Sequence, residues 1–272
     1  MRADLHAHTT HSDGTLRPRD VVALAAERGL QGVAIADHDS VDGLHEALQV
    51  AGRYRVEVVP AVELTAEWNG HVCHVLGYFV DPRHDGLRQA LRRADELATR
   101  YRSHVVQEVR RLGLADALAG LDERSSAATL FLHLVRSGAL HRLDRVGFRR
   151  LLMWLKHEPR PFTAARAIAL IGQAGGAAVL AHPGLRRTKR LLPIAELQQL
   201  VEAGLAGIEV DHPAHGTETR VHYGAVADQL GLVKTGGSDY HGPNRRPGAL
   251  GVVTVSYAVV EALRARASRQ RR

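Results

Sequence analysis

The chain has 272 residues, with 36 Lys and Arg against 29 Asp and Glu, a hydrophobic fraction of 45% and a single cysteine. That is enough apolar material for one large domain or a domain with an insertion, and no run approaches the ~18 apolar residues of a membrane span. One cysteine excludes a disulfide framework and a thiolate zinc site; the polar start Met1-Arg2-Ala3-Asp4 leaves no room for a secretory signal, so a cytoplasmic protein is expected.

From Met1 to about Phe79, short β-rich runs alternate with helical ones, the pattern of βα units around a parallel sheet. Strands are expected at residues 3–5, 32–36, 56–62 and 72–80, and helices at 18–28 and 44–51. Pro18 stands in the first turn of the first helix and Gly29 just past its end. Trp68-Asn69-Gly70 reads as the turn into the fourth strand. Cys73 neighbours His74 there, so its side chain should point the other way, toward the core.

Residues 83–160 are Arg-rich and Ala/Leu-rich and read as an all-helical insertion. They hold 16 Lys and Arg against 9 Asp and Glu, which places the whole charge excess of +7 in this segment. Such a segment is either an ordinary solvated helical surface or a basic cap over an anionic substrate. After Pro161 the βα pattern resumes. Thr163 caps a helix, Gly175-Gly176 end it, and strands follow at 177–181, 207–210 and 233–235, separated by helices at 192–203 and 217–230. Ser256 caps a last helix, whose end carries five arginines and is expected to fray. The organisation expected is therefore an α/β barrel from 1–82 and 161–272, interrupted by a helical subdomain at 83–160.

Histidine occurs 17 times, well above ordinary usage, so metal binding is the first chemical question. Leu5-His6-Ala7-His8 places two imidazoles on one side of a strand end. Asp13 follows in the same loop, His38 lies after strand two between Asp37 and Asp39, Glu63 closes strand three, and His74 lies on strand four. His182 follows the strand after the insertion, and Asp239 and His241 follow the last one. In a parallel barrel such positions converge on one face. Six imidazoles and three carboxylates without thiolate suit Zn, Mn or Fe, and nine donors exceed one coordination sphere, implying two or three ions. Asp37 and Asp39 are expected to orient the imidazole between them.

The runs Asp4-Leu5-His6-Ala7-His8, Ser12-Asp13-Gly14, Asp37-His38-Asp39, Glu63-Leu64-Thr65, His74-Val75-Leu76-Gly77-Tyr78, His182-Pro183-Gly184 and Gly237-Ser238-Asp239-Tyr240-His241 occur in one order over about two thirds of the chain. In this the sequence resembles the PHP (polymerase and histidinol phosphatase) family, and within it small bacterial phosphoesterases acting on nucleotide phosphates and short RNA 5′ ends. The resemblance implies a distorted seven-stranded (β/α) barrel with a three-metal centre. It assigns His6, His8, Glu63 and Asp239 to one ion, Glu63, His74 and His182 to a second, and Asp13, His38 and His241 to the third. One departure falls on the substrate side: where similar proteins carry an Arg-x-His cluster opening a helix of the insertion, this chain has Ala127-Ala128-Thr129.

The activity implied is hydrolysis of a nucleoside 3′,5′-bisphosphate or of the 5′ end of a short oligoribonucleotide, by a metal-bridging hydroxide held by Glu63. Arg186 and Arg187 are the candidate phosphate contacts, and His215 is a candidate proton donor. No membrane association and no obligate protein partner is expected. Histidinol-phosphate phosphatase is the enzymatic alternative. A non-catalytic PHP module binding nucleic acid or a polymerase is the alternative of another class, and the nine filled donor positions speak against it.

Overall fold

The protein is described by a computed structural model over residues 1–121, 127–156, 159–185, 191–243, 245 and 247–270. Its strands are β1 (Arg2–Ala7), β2 (Gly32–Ile35), β3 (Glu57–Trp68), β4 (His71–Tyr78), β5 (Phe162–Thr163), β6 (Ala177–Leu180), β7 (Gly207–Asp211), β8 (Val233–Gly236) and β9 (Val255–Ser256). The helices are α1 (Pro18–Glu27), α2 (Leu44–Tyr54), α3 (Asp85–Arg111), α4 (Ala127–Arg136), α5 (Arg145–Lys156), α6 (Ala164–Gln173), α7 (Ile194–Glu202), α8 (Thr217–Leu230) and α9 (Tyr257–Gln270). The chain divides into two compact units, Met1–Leu91 with Phe162–Arg272, and Arg92–Pro161.

In the first unit, β2 and β6 bury every side chain and β1 all but Arg2, the condition of strands covered on both faces. The strands hydrogen-bond in the order β8-β7-β6-β4-β3-β2-β1-β9, with β5 against β3. Seven of them are four residues or longer and make up the barrel wall; β5 and β9 are two-residue additions. Main-chain bonds from His8 to Tyr240 (2.8 Å) and from Tyr240 to His6 (3.2 Å) bring the segment after β8 back to β1, so the sheet nearly closes. Leu5, Ala34, Val59, Leu76, Tyr78 and Val179 fill the core, with Val260 and Leu263 of α9 packed among them.

The expectation of a wholly parallel barrel needs one correction. β4 runs antiparallel to both β3 and β6. The reason is the two-residue connection Asn69-Gly70, whose φ values of 51° and 71° are both positive, as a tight hairpin requires. β3 is accordingly longer than expected and does not end at Glu63. It pairs with β2 as far as Pro60, then with β4 from Ala61 onward. Pro60 has no N–H to give, and its carbonyl accepts from Phe79 at 2.7 Å, so the change of partner falls where a ladder donor is missing anyway.

The second unit packs Tyr101, Val105 and Val109 of α3 against Leu130 and Leu134 of α4 and Leu151 of α5. Glu108 is 1% exposed and is matched by Arg150, which donates to its Oε2 at 3.3 Å. Ala127 to Thr129 open α4.

Asp4 ties the barrel together from within. Fully buried, it accepts through Oδ1 from the Ser238 N–H at 2.9 Å and the His6 N–H at 3.2 Å, and through Oδ2 from Gly251 at 2.7 Å. Asp4→Asn turns one acceptor into an NH2 group facing an N–H. Urea unfolding is expected to show a loss of about 1–3 kcal/mol, the cost of a stranded buried donor.

Candidate metal centre

The site is built around Glu63, which is 0% exposed. Main-chain bonds from Glu63 N to Asp37 O (3.1 Å) and from Asp39 N to Glu63 O (2.9 Å) hold it opposite His38 beyond the end of β2. Five imidazoles converge on its two oxygens. His6 Nε2, His38 Nδ1 and His8 Nε2 lie 3.1, 3.2 and 3.3 Å from Oε2. His182 Nε2 and His74 Nδ1 lie 3.0 and 3.1 Å from Oε1. The hairpin delivers His74: Glu63 pairs with Leu76, and the residue two before Leu76 projects from the same face.

A second carboxylate, Asp239, faces the first. Its Oδ1 is 3.2 Å from His8 Nε2 and 3.5 Å from His6 Nε2, while Oδ2 is 3.3 Å from His212 Nε2. A third, Asp13, places Oδ1 3.3 Å from His241 Nε2 and 3.8 Å from His8 Nδ1. Asp239 and His182 hold φ angles of 51° and 23°, a region that non-glycine residues occupy at a cost of order 1–3 kcal/mol. Gly237 lets the last loop approach: a Cβ there would sit 2.4 Å from the Cβ of His6.

The electrostatics show how cations would be received. Burial alone would raise Glu63, yet His6, His38 and His74 hold it well below the carboxylate range. Asp239 is likewise depressed against its burial, by His6, His212 and His8. Burial disfavours the His8 imidazolium, but the Asp239 and Glu63 carboxylates beside it prevail and push it up to about 10. His38 goes the other way, to about 3, through burial and the neighbouring His8 and His74.

Three overlapping sets of donor atoms each lie within 4.8 Å: His6, His8, Glu63 and Asp239; His8, Asp13, His38 and His241; and His38, Glu63 and His74. His8 Nδ1 and Nε2 and His38 Nδ1 are buried without a hydrogen-bond partner, which a bound cation would supply. The donor set fits a divalent ion of hard to borderline character. The first set contains the four residues expected together. In the others His8 joins Asp13, and His38 stands where His182 was expected, although His182 also reaches Glu63.

Other expectations shift. Asp37 and Asp39 do not orient His38. Asp37 instead accepts from Thr9 N, Thr9 Oγ1 and Ser12 Oγ, each at 2.7 Å, and so braces the loop that carries Asp13. Asp39 accepts from Thr65 N at 2.9 Å, and burial pushes its carboxyl up to about 6. His215 is 4% exposed, with Nδ1 donating to Val210 O at 2.9 Å and Nε2 accepting from Gly184 N at 3.1 Å. Both nitrogens bond to backbone, an arrangement that braces the His182-Pro183-Gly184 turn. Arg186 and Arg187 lie outside the described residues. Two buried neighbours of the cluster carry no motif in the sequence, Glu209 on β7 and His212 just after it. Their only signal is position beyond or near a strand end.

Set beside known proteins, the chain matches the PHP domain over residues 4–124. It is 32% identical over 251 residues to a 3′,5′-nucleoside bisphosphate phosphatase of Chromobacterium violaceum, covering 88% of this chain and 87% of that one. To a phosphoribosyl 1,2-cyclic phosphate 1,2-diphosphodiesterase of Eggerthella lenta it is 34% identical over 255 residues, covering 89% and 95%. A crystal structure from Bifidobacterium adolescentis, of a protein assigned as a metal-dependent phosphoesterase, superposes with a TM-score of 0.79 at 28% identity, over 97% of this chain and 96% of that one.

The turn at Gly184 offers a test of the bracing. A Cβ added there would lie 2.6 Å from Thr219 Cγ2 and 2.7 Å from His215 Cδ2, whereas one added at Gly216 meets nothing within 4 Å. Gly184→Ala is expected to lower stability by about 1–3 kcal/mol, and Gly216→Ala to stay within about 0.5 kcal/mol of the parent. Thermal melts of the two variants compare them directly.

Proposed function

The chain belongs to the PHP family of metal-dependent phosphoesterases, and from that premise we propose that its substrate is a nucleoside 3′,5′-bisphosphate. The 5′ end of a short oligoribonucleotide presents the same ester chemistry and is the companion substrate. The observation that carries the reading is the crowding of five imidazole nitrogens around the two oxygens of Glu63, with no lysine or arginine among the described residues paired to it. Hydrogen bonding alone would need far fewer of them, and a shared set of cations uses them all.

Two or three divalent ions are proposed, held by His6, His8, Glu63 and Asp239, by Glu63, His74 and His182 with His38 adjacent, and by Asp13, His38 and His241. Bound there, such ions supply Lewis acidity toward the phosphoryl oxygens and toward the attacking water. The protein's part is to fix their positions. Glu63 contributes both oxygens, and the complete burial of His6, His8 and Glu63 keeps bulk water from the inner donors. Asp13 has a side chain 53% exposed and marks the open side. Arg186 and Arg187 are retained on sequence grounds as the phosphate contacts. Such substrates belong to the cytoplasm, where we place the enzyme; among the described residues no helix is long and apolar enough to cross a membrane.

Elemental analysis after reconstitution with Mn or Zn is expected to give two to three ions per chain, and fewer than one overturns the reading. Chelation should abolish phosphate release and re-addition restore it. Glu63→Gln should deplete more than one site, whereas His241→Ala should affect mainly one; equal metal content and activity in both variants and the parent would refute the partition. A panel of nucleoside 3′,5′-bisphosphate, 5′-phosphorylated dinucleotide, phosphoribosyl 1,2-cyclic phosphate, histidinol phosphate and p-nitrophenyl phosphate ranks the substrates. Preference for histidinol phosphate over every nucleotide removes the nucleotide assignment.

A further inference from the structure

Glu209 is fully buried on β7 and belongs to none of the three donor sets. Its two oxygens nevertheless do separate tasks. Oε1 lies 3.0 Å from His6 Nδ1, and Oε2 accepts from the main-chain N–H of His182 at 2.8 Å. The partners come from separate parts of the barrel, His6 from β1 and His182 from just beyond β6, and each presents its Nε2 to Glu63, His6 to Oε2 at 3.1 Å and His182 to Oε1 at 3.0 Å.

From this geometry we propose that Glu209 is a positioning residue for the metal centre, holding His6 in the tautomer that leaves Nε2 free and holding the His182 backbone in its left-handed conformation. The proposal rests on the reading of the Glu63 cluster as a metal centre. A carboxylate accepting from Nδ1–H is the commonest way to fix which nitrogen of an imidazole is bare, and it also makes that nitrogen a better donor. For His182 the reason is different. At φ 23° the peptide before the imidazole is turned out of any regular strand, and the N–H it exposes inside the barrel has Glu209 Oε2 as its acceptor. An amide cannot do both halves of this at once. A glutamine offers one oxygen for two donors, and its NH2 group must face either His6 Nδ1–H or His182 N–H.

The experiment is equilibrium binding of Zn2+ and of Mn2+ to the full chain against a competing chelator, for the parent, Glu209→Gln, Glu209→Ala and Glu57→Gln. Glu57 serves as control: it sits at the start of β3, bonded to Tyr257 and Arg264, six residues from Glu63. Glu209→Gln is expected to bind about 10–100-fold more weakly, and Glu57→Gln as the parent does. In the Zn-loaded protein labelled with 15N-histidine, His6 should carry its proton on Nδ1, and Glu209→Gln should shift or broaden that signal.

If Glu209→Ala fails to fold, the isosteric Gln variant still decides the matter. Affinity within twofold of the parent, with the His6 signal unmoved, overturns the proposal even where the thermal midpoint falls, since a merely structural carboxylate would lower only the midpoint. The two readings fail separately. A parent that binds metal but cleaves no phosphate ester leaves the Glu209 measurement intact. An active parent with an unaffected Glu209→Gln removes the positioning role alone.

Discussion

A carboxylate removed from water and ringed by imidazoles is the constraint from which the rest of this structure follows. Moving one such ion into a low-dielectric interior carries an effective penalty of several kcal/mol, and its neighbours must recover it. Glu63 recovers it from His6, His8, His38, His74 and His182, but these groups compete: the same surroundings raise His8 and depress His38. A proton placed on one imidazole repels the next across ring separations of 4.5 to 5.7 Å. Divalent charge shared among donors resolves that competition, because one ion satisfies several nitrogens at once. On the proposed metal reading, cation binding would stabilise the folded form of this end of the barrel.

The scaffold shows how such a cluster is assembled from short-range rules. Period-two alternation sends His6 and His8 to one side of β1, and a two-residue hairpin folds β4 back so that His74 stands diagonal to Glu63. Tight approach is secured by glycine where the last loop passes over His6. The loop carrying Asp13 is held by Asp37 through three bonds, so this more exposed candidate ligand is not free to wander. Buried carboxylates outside the donor sets, Asp4 and Glu209, are each divided between main-chain donors or between a main-chain donor and a ring.

Much of this was legible before any coordinates. His6, His8, Asp13, His38, Glu63, His74, His182, Asp239 and His241 are all found around one centre, because each sits beside a recognisable local pattern at or near a strand. The direction of β4 was not legible as a barrel feature, although the Asn69-Gly70 turn that dictates it was in plain view. Its consequence for the sheet depends on β6 pairing with β4 across a long intervening segment. Asp37 and Asp39 illustrate a different failure. Sequence adjacency to His38 suggested contact, but neighbours on an extended chain point apart, and both carboxylates serve backbone and hydroxyl groups elsewhere. Glu209 was invisible for the complementary reason: it acts on residues 203 and 27 positions away, with no motif around it.

The closure of the barrel has a temporal meaning. His6 and His8 are joined to the segment Asp239–His241 by main-chain bonds on either side of Tyr240, so candidate ligands about 230 residues apart in sequence meet at one seam. During synthesis at about 5–20 residues per second, the first histidines would leave the ribosome roughly 10–50 s before the carboxylate that completes their set. Over that interval the nascent chain holds an exposed His-x-His pair but no finished coordination sphere. On the proposed metal reading, cation capture therefore belongs to the end of translation, and a chain truncated before Asp239 would be open at its seam and short of one of the carboxylates proposed to hold the ion.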